Sequence, residues 1–279
     1  MNEAVGIDTS KYVKGVDYGD LDIWNAEKAY LGSIPQEMKA ILETGTIPIV
    51  LGGDHSITFP ELLAYKDVYG PVSIIHFDSH TDTWGSDTDK EHHDHSTPFR
   101  RAIEYDCIDP KTSIQVGMRG GLFEESDFDF ANNAGLEHIY AVDIHHMGIE
   151  KTAELIREKV GNNKVMVTFD IDFVDPAFAP GTGTPVSCGF TSRQALELIR
   201  RALIGLDIVT EDGEKIGTVS DVFNTGSNDI YEVKREGKKN LLLPVIDDVV
   251  LNIDVDGGKN NRQNDGRLGG LGVKKSYEI

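Results

Sequence analysis

Short apolar runs, separated at regular intervals by amphipathic segments, constrain the fold of this chain more than any other feature. The runs are "TIPIVLGG" (46–53), "PVSIIHFD" (71–78), "TSIQVGM" (112–118), "EHIYAVD" (137–143) and "VMVTFDIDFVD" (165–175). Helical periodicity occupies about 25–44, 97–106, 148–161 and 191–204, the last opening on Thr191 and Gln194 with the spacing of a capping box. Strands apolar along their whole length are buried on both faces, and the helices between them supply the crossovers of a parallel sheet. The expected fold is α/β, a three-layer parallel sheet with helices on both faces. Ligands bind such sheets beyond the carboxyl ends of the strands.

The texture changes near residue 206. From 207 to 259 short alternating strands are split by "EDGE", "NTGSND" and "REGKK", the pattern of hairpins in a small antiparallel β-barrel. The polar, Gly-rich stretch 260–279 reads as a flexible tail. The expected division is 1–206, 207–259 and 260–279.

No apolar run approaches the length of a membrane span, and "MNEAVGIDTSKYVKG" lacks the basic and apolar regions of a signal peptide, so a cytoplasmic location is expected. The two cysteines, Cys107 and Cys188, form no C-x-x-C pattern, which argues against a disulfide framework and a zinc knuckle. A formal charge of −20 opposes direct binding to nucleic acid and suits metal cations and cationic small molecules.

Acidic and imidazole side chains gather at the predicted strand ends. They are His55 in "LGGDHSIT", Asp78, His80 and Asp82 in "HFDSHTD", His95 in "HDHSTPF", and Asp170 and Asp172 in "TFDIDFVDP". In an extended chain alternate side chains share a face, so Asp78, His80 and Asp82 project together, and Asp170 and Asp172 oppose Phe169, Ile171 and Phe173. A single D-x-D is more often a turn or a solvated face, and "APGTGTP" (179–185) reads as a rigid turn without the lysine of a phosphate loop. Together, four aspartates facing one crevice repel one another unless positive charge sits among them. Mixed carboxylate and imidazole donors suit hard divalent metals, and so many donors suggest two ions.

Over about residues 15–206 the motifs "LGGDHSIT", "HFDSHTDT", "HSTPFRRAIE", "VGMRG" and "FDIDFVDPAFAPGTGTPV" resemble those of the ureohydrolase family, arginases and agmatinases, with the wording of "PFRRAIE" and "FAPGTGTP" closest to agmatinases. The resemblance implies an arginase-like fold and two Mn2+ per chain held by His55, Asp78, His80, Asp82, Asp170 and Asp172. It implies His95 as proton shuttle, with His92 and His93 as solvated neighbours, and Asp78 at the centre of the catalytic cradle. The implied reaction is agmatine plus water giving putrescine plus urea; guanidinobutyrase or formiminoglutamase activity is the alternative within the family. Homo-oligomers are implied, and no substrate-binding residue is assigned.

The pattern breaks at "IGLDIV" (204–209), where the family continues into a further strand bearing a guanidinium-binding glutamate. Glu211 and Glu214 lie nearby in turn-like sequence and are weak substitutes. The start also falls late against the family, without its first strand and Gly-rich loop, so a truncated sheet is expected. From about 205 to 259 the chain resembles the PRC-barrel domain of ribosome maturation factors, through "DGEKIGTVSDV", "NTGSNDIY" and "LLLPVIDDVV". That resemblance implies contact with a ribosomal protein through 207–259, and a rival reading in which the first part is an inactive scaffold.

Overall fold

The computed structural model describes residues 16–21, 29–85, 92–122, 125–161, 163–201, 207–210, 215–224, 229–235, 237–244, 250–253 and 271–273. Residues from Gly19 to Ala195 form one compact unit, and those from Leu196 onward belong to a second. In the first unit the elements run α1 (Ile34–Leu42), α2 (Thr58–Tyr69), β1 (Ser73–Phe77), α3 (Pro98–Glu104), β2 (Ile114–Met118), α4 (Asp129–Ala134), β3 (Glu137–Tyr140), α5 (Ala141–Val160) and β4 (Val165–Phe169). The helix α6 (Ser192–Arg201) runs across the division. The four strands pair in parallel in the order β3-β2-β1-β4.

Every residue of β1 and β2 is buried, as strands covered on both faces require. On one face Ile74 packs with Phe59 and Leu62 of α2, Phe99 and Ala102 of α3, and Met166 of β4. Towards the other, Phe77 meets Phe173 edge to face at 5.5 Å, and Phe173 stacks on Phe190 at 4.4 Å. The capping box opening α6 forms reciprocally: Thr191 N–H donates to Gln194 Oε1 at 2.9 Å and Gln194 N–H to Thr191 Oγ1 at 3.2 Å.

Four expectations need correction. The run 46–53 is not a strand; Ile47, Ile49 and Leu51 are 61%, 82% and 89% exposed. An apolar run becomes a strand only where a neighbour completes its ladder, and among the described residues none pairs the outer edge of β4. The strand read over 137–143 stops at Tyr140, and α5 begins at Ala141 and breaks at Gly148, whose φ of 83° is non-helical. Likewise the strand read over 165–175 ends at Phe169, followed by a tight 3-10 turn at Ile171–Phe173. Finally α2 was not among the helical patterns read: its buried Phe59, Leu62 and Ala64 make no clean stripe. Pro60 sits in the first turn, where a missing N–H costs nothing.

In the second unit, β5 (Asp207–Thr210), β6 (Lys215–Asn224), β7 (Asp229–Lys234), β8 (Leu241–Pro244), β9 (Val250–Ile253) and β10 (Leu271–Val273) form a sheet in the order β8-β7-β6-β5-β10-β9. All pairs are antiparallel except β5 with β10. Among the described residues this sheet ends at β8 and β9 without closing into a barrel. Strand β10 falls inside the stretch read as a tail; the rest of 260–279, the turn "EDGE" with Glu211 and Glu214, and residues 25–28 of the helical pattern read over 25–44 lie outside the described residues. No helix among the described residues is long and apolar enough to cross a membrane.

Two predictions follow from this packing. Gly117 has φ +102°, and a methyl group there would stand 2.5 Å from the Phe173 ring and 2.7 Å from the Asp78 carbonyl oxygen. Gly117→Ala should therefore cost at least about 2 kcal/mol in urea denaturation; an unchanged midpoint would contradict this packing. Burial raises the Glu61 carboxyl from 4.5 to about 7 against the opposing charge of His55. The unfolded chain releases that proton near pH 4.5 and the folded chain near 7, so stability drains away as pH rises through this window, by on the order of 3 kcal/mol. Glu61→Gln should out-stabilise the parent in urea melts at pH 8, with the gap largely closed at pH 4.5. A gap independent of pH would refute the assignment.

Candidate metal centre

Strands β1 and β4 are in register, Phe77 opposite Phe169, and the Asp170 N–H donates to the Phe77 carbonyl at 2.9 Å. The chain leaves both strands at one level, which sets Asp78 and Asp170 side by side at their carboxyl ends. Beyond that point turns do the gathering, which corrects the extended-strand reading. Asp78 Oδ1 accepts from the His80 N–H at 2.7 Å, and Asp82 takes a left-handed φ of 48°. Asp170 caps the 3-10 turn by accepting from the Asp172 N–H at 2.8 Å. Within that turn Phe173 is fully buried and Ile171 is half exposed, so the two do not share a face. His55 opens its own short turn, capped by Asp54, which accepts from the Ser56 N–H at 3.0 Å.

Two groups result. His55 Nδ1 lies 3.1 Å from Asp78 Oδ2, 3.0 Å from Asp82 Oδ2 and 3.4 Å from Asp170 Oδ2, while its Nε2 is 2.9 Å from Thr168 Oγ1. His80 Nδ1 lies 3.0 Å from Asp172 Oδ2 and 3.5 Å from Asp78 Oδ1. Asp78 thus offers one oxygen to each group. His55, Asp78 and Asp82 with His76 have donor atoms close enough to hold one ion, and Asp78, His80 and Asp172 close enough to hold another.

The fit to a cation can be judged from His55. Its buried Nδ1 has no hydrogen bond of acceptable geometry, although three carboxylate oxygens converge on it. One N–H can serve one acceptor at most, whereas a cation serves every donor around it. The electrostatics agree. Burial, then the charge of Asp78, raises the Asp82 carboxyl, and burial likewise raises Asp172. Hydrogen bonds to Asp172 and Asp78 lift His80 to about 10. Burial opposes a charge on His55, but Asp170, Asp78 and Asp82 outweigh it and hold the imidazole well above its usual value. The carboxylates draw protons onto the two imidazoles among them, and divalent ions would take that place.

Arg119, from "VGMRG", braces the site. It donates to the Asp172 carbonyl at 2.5 Å and the Gly117 carbonyl at 3.2 Å, and reaches the carbonyls of Val186 and Ser187 in the loop after "APGTGTP". Thr184 Oγ1 lies 3.4 Å from Asp172 Oδ2. Ser79 gives Asp172 Oδ1 two hydrogen bonds, from its N–H at 3.0 Å and its hydroxyl at 2.8 Å. Gly120 leaves room for His80, whose ring a methyl group would meet at 2.5 Å.

His95 stands apart from both groups, exposed on the turn before α3. That turn is tied to the cluster: the Trp84 N–H donates to the Ser96 carbonyl at 3.0 Å, and the Phe99 N–H to the Asp82 carbonyl at 3.1 Å. His92 is exposed and pairs with Asp94 at 2.7 Å. His93 is not the solvated neighbour expected; it stacks on Phe59 at 5.5 Å and lies 5.1 Å from Tyr30, because its ring completes the aromatic packing around α2. His76 was also missed. It lies fully buried in β1, with Nε2 2.7 Å from Asp78 Oδ2, and its place two residues before Asp78 is the signal that marks it.

The Arginase family model matches residues 2–212, and the PRC-barrel domain model matches 197–259. A guanidinobutyrase from Pseudomonas aeruginosa is 38% identical over 238 residues, 83% of this chain and 74% of its own. An agmatinase from Chromobacterium violaceum is 39% identical over 73% of this chain and 62% of its own. Among solved structures, a hypothetical agmatinase from Burkholderia thailandensis superposes with a TM-score of 0.59 at 41% identity, covering 66% of this chain and 56% of that one. The chain thus spans about three quarters of the first relative and under two thirds of the other two. With well over half of its length matched by the family model, this chain belongs to the Arginase family.

Proposed function

We propose that this chain is a binuclear manganese hydrolase of guanidinium compounds, with agmatine and water giving putrescine and urea as the leading reaction. The carrying observation is the convergence of three carboxylates on one buried imidazole nitrogen, with Asp78 shared between two donor groups. Relatives named for agmatine and guanidinobutyrate hydrolysis support the reaction class. His55, Asp78, Asp82 and Asp170 would hold one ion, and Asp78, His80 and Asp172 the other.

Bound there, two divalent ions supply a water activated for attack at neutral pH. The residues of the chain do the rest. Buried carboxylates fix the donors so that nothing need reorganise during reaction. As the guanidinium carbon gains the water oxygen, its bond to the substrate's chain nitrogen breaks, and that nitrogen must gain a proton to leave as an amine. His95, on a turn tethered to Asp82 and Trp84, carries that proton. A net charge of −20 favours a cationic amine tail over a carboxylate tail, which places agmatine ahead of guanidinobutyrate and formiminoglutamate. The PRC-barrel match supports a separate role for the second unit, contact with a basic ribosomal protein, tested by co-sedimentation with small ribosomal subunits.

Urea release from agmatine and from 4-guanidinobutyrate by the manganese-loaded full chain tests the reading. Agmatine should be the better substrate; release from neither, in protein carrying two ions, would refute the hydrolase assignment. His95→Ala should lower turnover about 10²–10⁴-fold while metal content stays at the parent level. Asp78→Asn should lose metal and activity together. Parent-level manganese in Asp78→Asn would contradict the ligand assignment.

A further inference from the structure

Gln115 and His76 face each other across β2 and β1 as directly paired residues, and both are fully buried. Gln115 Nε2 lies 2.5 Å from the Thr81 carbonyl oxygen and 2.8 Å from His76 Nδ1. A backbone carbonyl only accepts, so the atom facing Thr81 is the amide nitrogen; turning the amide over would press Gln115 Oε1 against that oxygen. The nitrogen has two hydrogens and two neighbours. It therefore donates to His76 Nδ1, which must accept, and the imidazole proton sits on Nε2. From there it points at Asp78 Oδ2, 2.7 Å away. The ring is also wedged against Phe99 at 4.2 Å and meets His55 edge-on at 4.9 Å.

This tautomer settles what His76 can do. Its Nε2 lies near enough to the first donor group to be counted with it. Yet Nε2 carries a proton and the Nδ1 lone pair is engaged, so neither nitrogen is free to bind an ion. We infer that His76, with its tautomer set by Gln115, is a positioning residue that holds the Asp78 carboxylate so that one oxygen faces each ion. The inference rests on the binuclear reading above and adds to it a residue outside the ligand set. Asp78 is where such a device matters most, since it alone belongs to both groups, and a rotation of its carboxylate would weaken both. Histidine held by an amide across a parallel strand pair gives that carboxylate a donor whose direction is fixed by the sheet itself.

Long-range ¹H–¹⁵N spectra of histidine-labelled full-length protein, metal-free and zinc-loaded, test the tautomer, with the resonance identified by its loss in His76→Phe. The Nε2–H form is expected in both samples; the Nδ1–H form, or a zinc-induced shift typical of a ligating nitrogen, would overturn the inference. Manganese titration supplies the second readout. His76→Phe and the milder Gln115→Leu, which keeps the ring, should each still take two ions at saturation with affinity about 10–100-fold weaker. A drop to one ion would make His76 a ligand, and unchanged affinity in folded Gln115→Leu would remove its role; both outcomes refute the inference. If the parent itself binds fewer than two ions, the binuclear reading fails instead, and the tautomer of the metal-free protein still decides whether His76 orients Asp78.

Discussion

Four carboxylates, Asp78, Asp82, Asp170 and Asp172, are held around two imidazoles at the carboxyl ends of β1 and β4, and the surrounding structure can be understood as the means of keeping them there. Like charges this close separate unless packing and hydrogen bonds prevent it. The register Phe77 to Phe169 ends both strands at one level. Ser79 gives Asp172 two hydrogen bonds, the His80 N–H gives Asp78 one, and Arg119 ties the Asp172 backbone to the neighbouring loop. Gly117 and Gly120 clear the space that Phe173, the Asp78 carbonyl and His80 occupy. What these restraints leave unmet is positive charge, and that shortfall is the physical case for metal.

Much of this was legible in the sequence because the site lies where strands end, and strand ends announce themselves as apolar runs that stop at Asp or His. Residue type and position singled out His55, Asp78, His80, Asp82, His95, Asp170 and Asp172, and the resemblance to ureohydrolases set apart from His95 the six that lie together in the structure. Their local geometry was not legible. Period-two alternation predicts shared faces only while the chain stays extended, and here β1 stops at Phe77 and β4 at Phe169, with turns taking over. His76 escaped notice because it was read only as part of an apolar strand; its place two residues before Asp78 puts it on the same face, but its other partner, Gln115, is 39 residues away. His93 was misread because a run of polar residues says nothing about the aromatic rings it will meet.

The run 46–53 marks a different limit. Its composition is that of a buried strand, yet its apolar side chains are exposed, and among the described residues it pairs with no strand. A strand is a property of two segments, and a single sequence shows only one of them. The second unit makes the same point in reverse: β10, a three-residue strand in a Gly-rich stretch, exists because β5 and β9 flank it.

The central claim is that the carboxylate and imidazole cluster is a binuclear centre built on Asp78. An anomalous difference map from crystals of the full chain grown with manganese tests it most directly. The account predicts two peaks, one bounded by His55 and Asp82 and the other by His80 and Asp172, with Asp78 touching both. A single peak, or none in manganese-saturated crystals with the cluster intact, would contradict it.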